Sequence, residues 1–567
     1  NYKINNRFTQ YFKTEPIIVG GLLQSVSTIN NISSAYSNGH FCEISTLELI
    51  DQFTFKNKIN KIVRNNPPGE AIIVNICNLE EWRWKFELLI QLKNEGFLIG
   101  GITLSGNFME RDEILNILKE LVENKIYVFG ILPYTVDDIK IILEIVKNFK
   151  EIQFLVYWNC AYSGNLRSIE DLYLPIIKTY HLIREYSNIF LINSGDYDNI
   201  EDSYKYLTGE WSIPFNLYAM PFDAIILNYK LLITKDCNIS RIHKELLKTI
   251  NTITTEDEWE NIFIDKCKNY EVINIYNKPI HVISTRATKL WNKYYKKYFV
   301  LEKEKSKKLI LQNKDKIIEE LEKNYMKKYV GDLKTMTYYD LLKRCTNLMT
   351  YNNSSNWIHQ HYEWKIKELI KWVCQKYSII IGIGYEHDAY NIIKYIEDNR
   401  KSYWTYPFFN EMLSITDINF FLKLCKKDRL KPVNFIPIID ENLEYWFTLD
   451  IIWYSEMLKA VQDYDLQLTI IPISPYGVDK NIDIDINLHN YIINYNDILV
   501  KKMTCKNLYE NNNKVYIKKD IDIKLLEEGS IIDYIYKYKE NIAVALQKLI
   551  FQENIFRNNN DSIKNYL

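Results

Sequence analysis

The amino-acid sequence predicts an α/β protein with a TIM-type (β/α)8 barrel, followed by a mainly helical domain and a small β-containing C-terminal segment. Three observations predict the barrel. Apolar, β-branched runs recur eight times in the first 230 residues, a helix-length connection follows each run, and these connections are amphipathic. A doubly wound open sheet is the competing arrangement, and the count of eight favours the barrel.

The strands are predicted in chain order from their apolar runs, which have the length and composition typical of strands. The runs are PIIVG (16–20), HFCEI (40–44), AIIVNI (71–76), FLIGGIT (97–103), IYVFGI (126–131), IQFLVY (152–157), NIFLI (188–192) and DAIIL (223–227). Between them, stretches such as ERDEILNILKELVEN and VDDIKIILEIVKNF place apolar residues at i, i+3, i+4 and i+7, the spacing of an amphipathic helix.

The sequence predicts three domains. Residues 1–240 form the barrel, and residues 241–460 form helices rich in tryptophan and tyrosine, with few strand runs. Residues 461–567 are predicted to be a small α/β or linker segment, in which LQLTIIPISPYG and NKVYIKKDIDI have the composition of strands. The sequence does not start with methionine, which suggests a piece of a larger polypeptide or a processed one.

Composition and charge argue against two classes of partner. Of the 567 residues, 47% are hydrophobic and 25% are charged, the proportions of a soluble globular protein. The net charge of -1 predicts no nucleic-acid partner, and the lysine-rich region 303–328 has glutamates at the spacing of a solvated helix face. Without a long apolar run or a signal peptide, no membrane association is expected.

The cysteines and histidines predict no metal site. No two of the nine cysteines form a CxxC pair, so we expect reduced, buried thiols in a cytoplasmic protein. His359 and His361 have the spacing of strand ligands, but no cysteine or acidic cluster lies nearby in the sequence. Gly382 and Gly384 lack the third glycine and the helix start of a dinucleotide fingerprint.

Five ordered segments carry a family resemblance. The first is SYKYLTGEWSIPFNLYAMPFDAIILNYKLLITKD, and the others are residues 257–260, 277–291, 336–349 with Trp357, and 431–456. The chain resembles the flavin-dependent enoyl reductase domain of fungal and actinobacterial type I fatty acid synthases, together with the central region that follows it in the β subunit. The resemblance covers most of residues 1–475. It implies a barrel with an appended helical domain inside a very large synthase.

The resemblance also implies a flavin mononucleotide (FMN) site on the loops after the strands, and this sequence departs from it. Members of the family have a glycine-rich loop with paired histidines after the sixth strand. Here the histidine positions fall on Leu166 and Arg167, and of the four loop glycines Gly164 remains. Leucine cannot transfer a proton, and arginine holds its proton too tightly to act as an acid near neutral pH.

Three more loops depart from the family pattern. Residues 45–47 (Ser-Thr-Leu) replace a glycine triplet after the second strand, and Leu132 falls on the lysine of the phosphate region after the fifth. After the seventh strand Ser194 and Gly195 match, but two aspartates follow within residues 196–198. Carboxylates beside a phosphate dianion would repel it by a few kcal/mol in a partly desolvated site.

The residues that match the family are predicted to be scaffold. No catalytic residue is predicted, and the FMN-binding candidates, if that binding is retained, are Gly21, Gly164, Ser194 and Gly195. Trp211 is expected to be buried, and Asp223 is expected to cap the turn into the eighth strand. His40 and His281 are expected to have packing roles.

The sequence therefore predicts a catalytically degenerate enoyl-reductase-like module, a pseudoenzyme without a cofactor in an oligomeric synthase assembly. Its expected partners are other subunits or domains of that assembly and acyl carrier protein. The alternative is an active enoyl-acyl-carrier-protein reductase that uses FMN and NADPH in a rearranged pocket. A third hypothesis is a barrel that binds another small ligand, with Tyr134, Tyr162 and Tyr197 at its mouth.

Overall fold

The structure is a computed structural model. It describes residues 4–20, 29–46, 52–65, 71–77, 82–158, 173–194, 199–227, 229–237, 241–249, 270–275, 278–284, 286–325, 331–350, 362–381, 383–384, 389–399, 407–427, 435–436, 473, 478 and 480–512.

All eight predicted strands are present, and they form a closed barrel in chain order. The strands are β1 Ile17–Val19, β2 Phe41–Ser45, β3 Ile72–Cys77, β4 Ile99–Ser105, β5 Val128–Ile131, β6 Gln153–Trp158, β7 Ile189–Asn193 and β8 Ala224–Leu227. The first and last strands pair in parallel, with Ile17 opposite Ile225 and Val19 opposite Leu227. This closing pair confirms the predicted barrel and excludes the open sheet.

Helices follow the strands of the barrel and cover its outside, and one short helix precedes β1. They are α1 Arg7–Phe12, α2 Ile29–Ser37, α3 Gln52–Asn65, α4 Arg83–Asn94, α5 Arg111–Glu123, α6 Val136–Val146, α7 Leu174–Arg184 and α8 Ile200–Thr208. Side-chain caps fix two of the starts. Thr135 accepts a hydrogen bond from the backbone N–H of Asp138 in α6, and Asn199 accepts one from Asp202 in α8.

Two apolar layers result from the alternation of side chains along each strand. In β1, Ile17 and Val19 belong to the large core between the sheet and the outer helices, whereas Ile18 belongs to the inner cluster of the barrel. Helix α1 closes the amino ends of the strands. The ring of Phe8 contacts that of Phe41 at 5.2 Å between centroids, and Phe12 contacts Phe190 at the same distance.

Beyond the barrel the chain is mainly helical, as predicted. The helices are α9 Arg241–Thr249, α10 Arg286–Tyr294, α11 Lys303–Gln312, α12 Lys314–Tyr325, α13 Tyr338–Thr350, α14 Tyr362–Lys376, α15 Ala389–Asp398, α16 Ile415–Lys427 and α17 Leu488–Asn512. The strands β9 Tyr270–Ile275 and β10 Lys278–Ile283 pair as an antiparallel hairpin, which was not predicted from the sequence. The short strands β11 Gly331–Asp332 and β12 Phe435–Ile436 pair in parallel.

A buried carboxylate joins three of the helices that follow the barrel. Asp417 in α16 accepts hydrogen bonds from the Tyr338 hydroxyl of α13 at 2.5 Å, and from Trp372 Nε1 and Lys376 Nζ of α14 at 3.0 and 2.7 Å. Burial disfavours its ionised form, but the hydrogen bonds from Lys376, Tyr338 and Trp372 outweigh that effect and lower the pKa of Asp417 to about 2. The ionised carboxylate therefore holds α13, α14 and α16 together at neutral pH.

Helix α17 packs back onto the barrel, although more than 250 residues separate it from β8. It contacts both α2 and α8, the two helices between which the helix following β8 belongs in a (β/α)8 barrel. The buried hydroxyls of Tyr495 and Ser203 lie 2.6 Å apart, and the backbone N–H of Leu488 donates to Asp236 Oδ2 at 2.6 Å. Leu488 and Leu499 are fully buried in the barrel's outer core.

A histidine pair also joins α17 to the barrel. His40, which directly precedes β2, lies with its Nε2 3.0 Å from Nδ1 of His489. Burial and the charge of His489 lower the pKa of His40 to about 4. His40 is therefore a half-buried, hydrogen-bonded residue at the edge of the barrel core.

The histidine pair predicts a loss of stability in mild acid. In the unfolded chain, a histidine has its ordinary pKa of about 6.5 and takes up a proton near that pH. In the folded protein, His40 stays neutral until about pH 4, so protonation favours the unfolded state between these two values. The stabilisation is therefore complete above pH 6.5 and falls as the pH decreases toward 4. Between pH 7 and pH 5 we expect His40 to account for a loss of about 2 kcal/mol in the free energy of unfolding. Urea denaturation of the wild type and of His40→Gln at both pH values measures it; an equal pH effect in the two proteins would contradict it.

Candidate functional site

In (β/α)8 enzymes, the catalytic residues lie at the carboxyl ends of the barrel strands. In this protein, three of these ends carry small polar side chains. Ser45 ends β2, Ser105 ends β4, and Ser194 directly follows β7. All three are buried. One layer deeper, Asn75 and Tyr157 have the same inward register as the apolar residues that fill the barrel.

A hydrogen-bonded network inside the barrel is centred on Glu43 of β2. Its carboxylate accepts hydrogen bonds from Thr103 Oγ1 at 2.6 Å, from Asn75 Nδ2 at 3.1 Å and from the hydroxyl of Tyr157. Burial raises the pKa of Glu43, and these three hydrogen bonds act in the opposite direction. Ser105 Oγ extends the network by donating to Asn75 Oδ1 at 2.6 Å. The polar groups of four strands are thus bonded to one another.

Gly130 of β5 allows this network to close. A β-carbon at Gly130 would lie 2.2 Å from Thr103 Oγ1, far inside van der Waals contact, so only glycine leaves room for the threonine that bonds Glu43. The network was not predicted from the sequence. Its signal was a set of polar residues with the inward register in strands that are otherwise apolar.

Thr46, which directly follows β2, also makes hydrogen bonds within the protein. Thr46 Oγ1 donates to the backbone carbonyl of Asn75 at 2.8 Å, and Lys85 Nζ donates to the carbonyl of Thr46. Residues 45 and 46 stand where the family resemblance expects glycines. Both side chains are buried against the barrel, so neither exposes its backbone in the way that a phosphate-binding glycine does.

The end of β5 is apolar and closed. Leu132 stands where the resemblance expects a lysine, and it packs into the inner cluster of the barrel. Tyr134, predicted to lie at the mouth, is buried, and its hydroxyl donates to the carbonyl of Gly106 at 2.5 Å. Burial raises the pKa of Tyr134. At Thr46 and Leu132, the side chains present do not fit a flavin phosphate, which needs backbone N–H groups and a cation.

Ser194 is the FMN-binding candidate that the structure describes. Its backbone N–H donates to the carbonyl of Trp158 at 3.0 Å, and its side chain is 1% exposed. Its hydroxyl oxygen has no hydrogen-bond partner among the described residues. The other three candidates, Gly21, Gly164 and Gly195, lie outside the described residues, as do Leu166 and Arg167 of the loop after β6.

The residues predicted to be scaffold are buried, and the side chains of Asp223 and Trp211 are hydrogen-bonded. Asp223, directly before β8, accepts hydrogen bonds from Arg184 Nη1 and from the backbone N–H of Leu191, both at 2.7 Å. Trp211 is buried, and its Nε1 donates to the carbonyl of Met220 at 2.6 Å. His281 is fully buried in β10.

The described residues contain neither a cluster of metal ligands nor a helix that could span a membrane. Within them, no group of three or more metal-ligating side chains comes together, and His359 and His361 lie outside them. No described helix combines the length and the apolar character needed to cross a bilayer.

Comparison with known proteins identifies a family over more than half of the chain. Residues 153–490 match the family described as "Fatty acid synthase subunit beta/Fas1-like, helical". The chain is 27% identical over 494 residues to the fatty acid synthase beta subunit pigK of Monascus ruber, covering 85% of this chain and 24% of that protein. It is 24% identical over 526 residues to fatty acid synthase subunit beta of Saccharomyces cerevisiae, covering 90% and 25%. The chain thus spans about a quarter of the length of these curated relatives.

Among solved structures, the chain is similar to the enoyl reductase domain of MlnA from the macrolactin biosynthesis cluster of Bacillus amyloliquefaciens. The TM-score is 0.42 and the identity is 11%, over 88% of this chain and 98% of that one. A similarity this weak supports no conclusion about function. The assignment of the barrel rests on the strand pairing itself.

Proposed function

The chain belongs to the helical Fas1-like family of fatty acid synthase beta subunits, and on that premise we propose that its barrel is a catalytically degenerate enoyl-reductase-like module. In this proposal the module is a structural component of a fatty acid synthase-like multienzyme assembly. It provides a folded scaffold and surfaces that contact neighbouring domains, and it binds neither FMN nor NADPH. Its partners are other subunits or domains of that assembly, including acyl carrier protein.

One observation carries the proposal: four polar residues at or near the carboxyl ends of β2, β3 and β4 are bonded to one another. Glu43, Asn75 and Ser105 form one network, and Thr46 joins it through the carbonyl of Asn75. A working site keeps donors and acceptors ready for its ligand, because groups that are already paired must lose a hydrogen bond before they can bind anything. Leu132 places an apolar side chain where the resemblance expects a lysine that would bind the phosphate.

A second function is favoured by Ser194. A buried hydroxyl without a partner among the described residues costs free energy unless a ligand or water satisfies it. Ser194 also matches the family at the loop after β7. This observation favours the alternative of an active enoyl reductase that uses FMN and NADPH, with Ser194 hydrogen-bonded to the cofactor.

Reduction of an enoyl thioester distinguishes the two functions. The proposal predicts that the purified chain, supplied with FMN and crotonyl thioester, oxidises NADPH no faster than a protein-free blank. The alternative predicts turnover that falls when Ser194 is replaced by alanine, while Ser37→Ala, on the exposed end of α2, serves as the matched control. Turnover in the wild type that Ser194→Ala abolishes and Ser37→Ala does not would overturn the proposal.

A further inference from the structure

A one-sided charge lies on α10 and the π-helical turn that follows it, Tyr295–Phe299. Residues 286–301 contain five basic residues and no acidic one, in a chain whose net charge is -1. Lys289, Lys293, Lys296 and Lys297 are all exposed. Lys289, Lys293 and Lys296 are spaced by four and three residues, which places them on one face of the segment, and Lys297 is exposed beside them. We call these four residues the basic stripe.

The opposite face of the same segment anchors it to the protein. Trp291, Tyr294 and Tyr298 are almost completely buried, and the ring of Trp291 contacts that of Phe299 at 5.5 Å between centroids. The hydroxyl of Tyr294 donates to Glu320 of α12 at 3.2 Å. The basic stripe is therefore presented on a fixed helix.

Most of the basic stripe has no acidic partner among the described residues. Lys293 pairs with Glu320 at 2.6 Å. Lys289, Lys296 and Lys297 form no ion pair with any described residue, and Lys297 lies 5.0 Å from the ring centre of Tyr298. The lysines of α11 differ, because acidic residues such as Glu302, 2.8 Å from Lys305, alternate with them. The charge of the stripe is thus available to a partner.

An apolar tip adjoins the stripe. Val300 is 59% exposed and Leu301 is 38% exposed, at the junction between the π-helical turn and α11. From Lys289 to Val300 a helix rises about 16 Å, the length of three helical turns. We propose that the basic stripe and this tip form a docking surface for an acidic, helical face of another protein that carries one apolar side chain at its end.

Other polyanions fit this surface less well. A membrane-binding helix inserts its apolar face, whereas the apolar face of α10 is buried in the protein and only Val300 and Leu301 remain to insert. A nucleic acid would bring an even row of phosphates against Glu302 and Glu304, which directly follow the tip and are exposed. A protein surface can place its carboxylates opposite the lysines and leave those two glutamates in solvent.

Binding of a defined peptide tests the docking surface. The probe is a fluorescein-labelled helical peptide of about 15 residues, with glutamate at every fourth position and one terminal leucine. We expect saturable binding that weakens as salt rises. The triple variant K289E/K296E/K297E should weaken binding about tenfold or more, because it reverses three charges of the stripe. Val300→Ser should weaken binding severalfold at every salt concentration, because it removes only apolar contact.

The matched control is K119E/K147E/K150E, which makes the same charge change at one exposed lysine of α5 and two exposed lysines in the turn after α6, and should bind as the wild type does. Circular dichroism melting checks that both triple variants are folded. Equal weakening by the two triple variants would overturn the proposal, and so would preferential binding of phosphatidylglycerol vesicles or of polyuridine RNA. The stripe is independent of the proposed function, because enzymatic activity of the barrel would leave this result unchanged.

Discussion

Replacement of Asp223 by alanine is expected to lower the free energy of unfolding by roughly 3–4 kcal/mol. Asp223 Oδ2 accepts hydrogen bonds from the fully buried Arg184 and from the backbone of Leu191 in β7. Burial alone would lower the pKa of Arg184, but the charges of Asp223 and Tyr180 and the hydrogen bonds with both side chains together outweigh burial and raise it. Without the carboxylate, a guanidinium would remain buried and unpaired, which costs more than the ion pair itself contributes.

The same carboxylate acts on a second cation. Burial lowers the pKa of Arg7, and the charge of Asp223 opposes that shift. The backbone carbonyl of Asp223 also accepts a hydrogen bond from Asn6, the cap of α1, at 2.8 Å. Asp223 therefore connects the closing strand β8, helix α7 and helix α1, which covers the amino ends of the strands.

Urea denaturation measures the effect, with Asp137→Ala as the control. Asp137 pairs with Lys140 at 2.9 Å on the surface of α6, where both side chains are more than half exposed. That pair should contribute less than about 0.5 kcal/mol. A wild-type unfolding midpoint in Asp223→Ala would show that the buried ion pair does not hold the barrel closed.

Replacement of Trp211 by alanine is expected to destabilise the protein by about 3–4 kcal/mol. The indole stacks on Tyr173 at 5.7 Å and on Tyr206 at 5.8 Å between centroids, and meets the edge of Phe222. Truncation would leave a cavity between α7, α8 and the segment that leads into β8. It would also leave the carbonyl of Met220 without its donor.

Two variants calibrate the tryptophan effect in the same urea experiment. Trp211→Phe keeps most of the ring contacts but loses the N–H, so it should cost less than the alanine variant. Trp364→Ala removes a side chain that is 56% exposed and should cost less than about 1 kcal/mol. If Trp211→Ala cost no more than Trp364→Ala, the aromatic cluster would not be a core.

The barrel strands could be predicted from the sequence because they are parallel and buried on both faces. Such strands are continuous apolar runs, and each predicted run overlaps its observed strand. The docking of α17 could not be predicted, because the helices it contacts, α2 and α8, precede it by about 300 residues or more and no local pattern encodes a distant packing partner. The hairpin of β9 and β10 was missed because its residues lie within a stretch dominated by helical patterns.

The FMN-binding role of the candidate residues stays a prediction, and the sequence indicated only where Ser194 would lie. Ser194 was identified by resemblance, and the structure places it, buried, directly after β7 at the carboxyl end of the barrel. The Glu43 network was missed because a glutamate within HFCEI has the pattern of a strand residue that faces solvent. Its role depends on Thr103 and Tyr157, which belong to strands far away in the sequence. Only the closed sheet brings these side chains together.

Titration of FMN into the purified chain tests the central claim most directly, since a barrel that cannot hold flavin cannot perform flavin chemistry. The cooperative urea transition of the same preparation establishes that the protein is folded. We predict that flavin fluorescence rises in proportion to the added FMN, with no quenching by the protein at micromolar concentrations. Saturable quenching at one flavin per chain, lost in Ser194→Ala, would contradict the account.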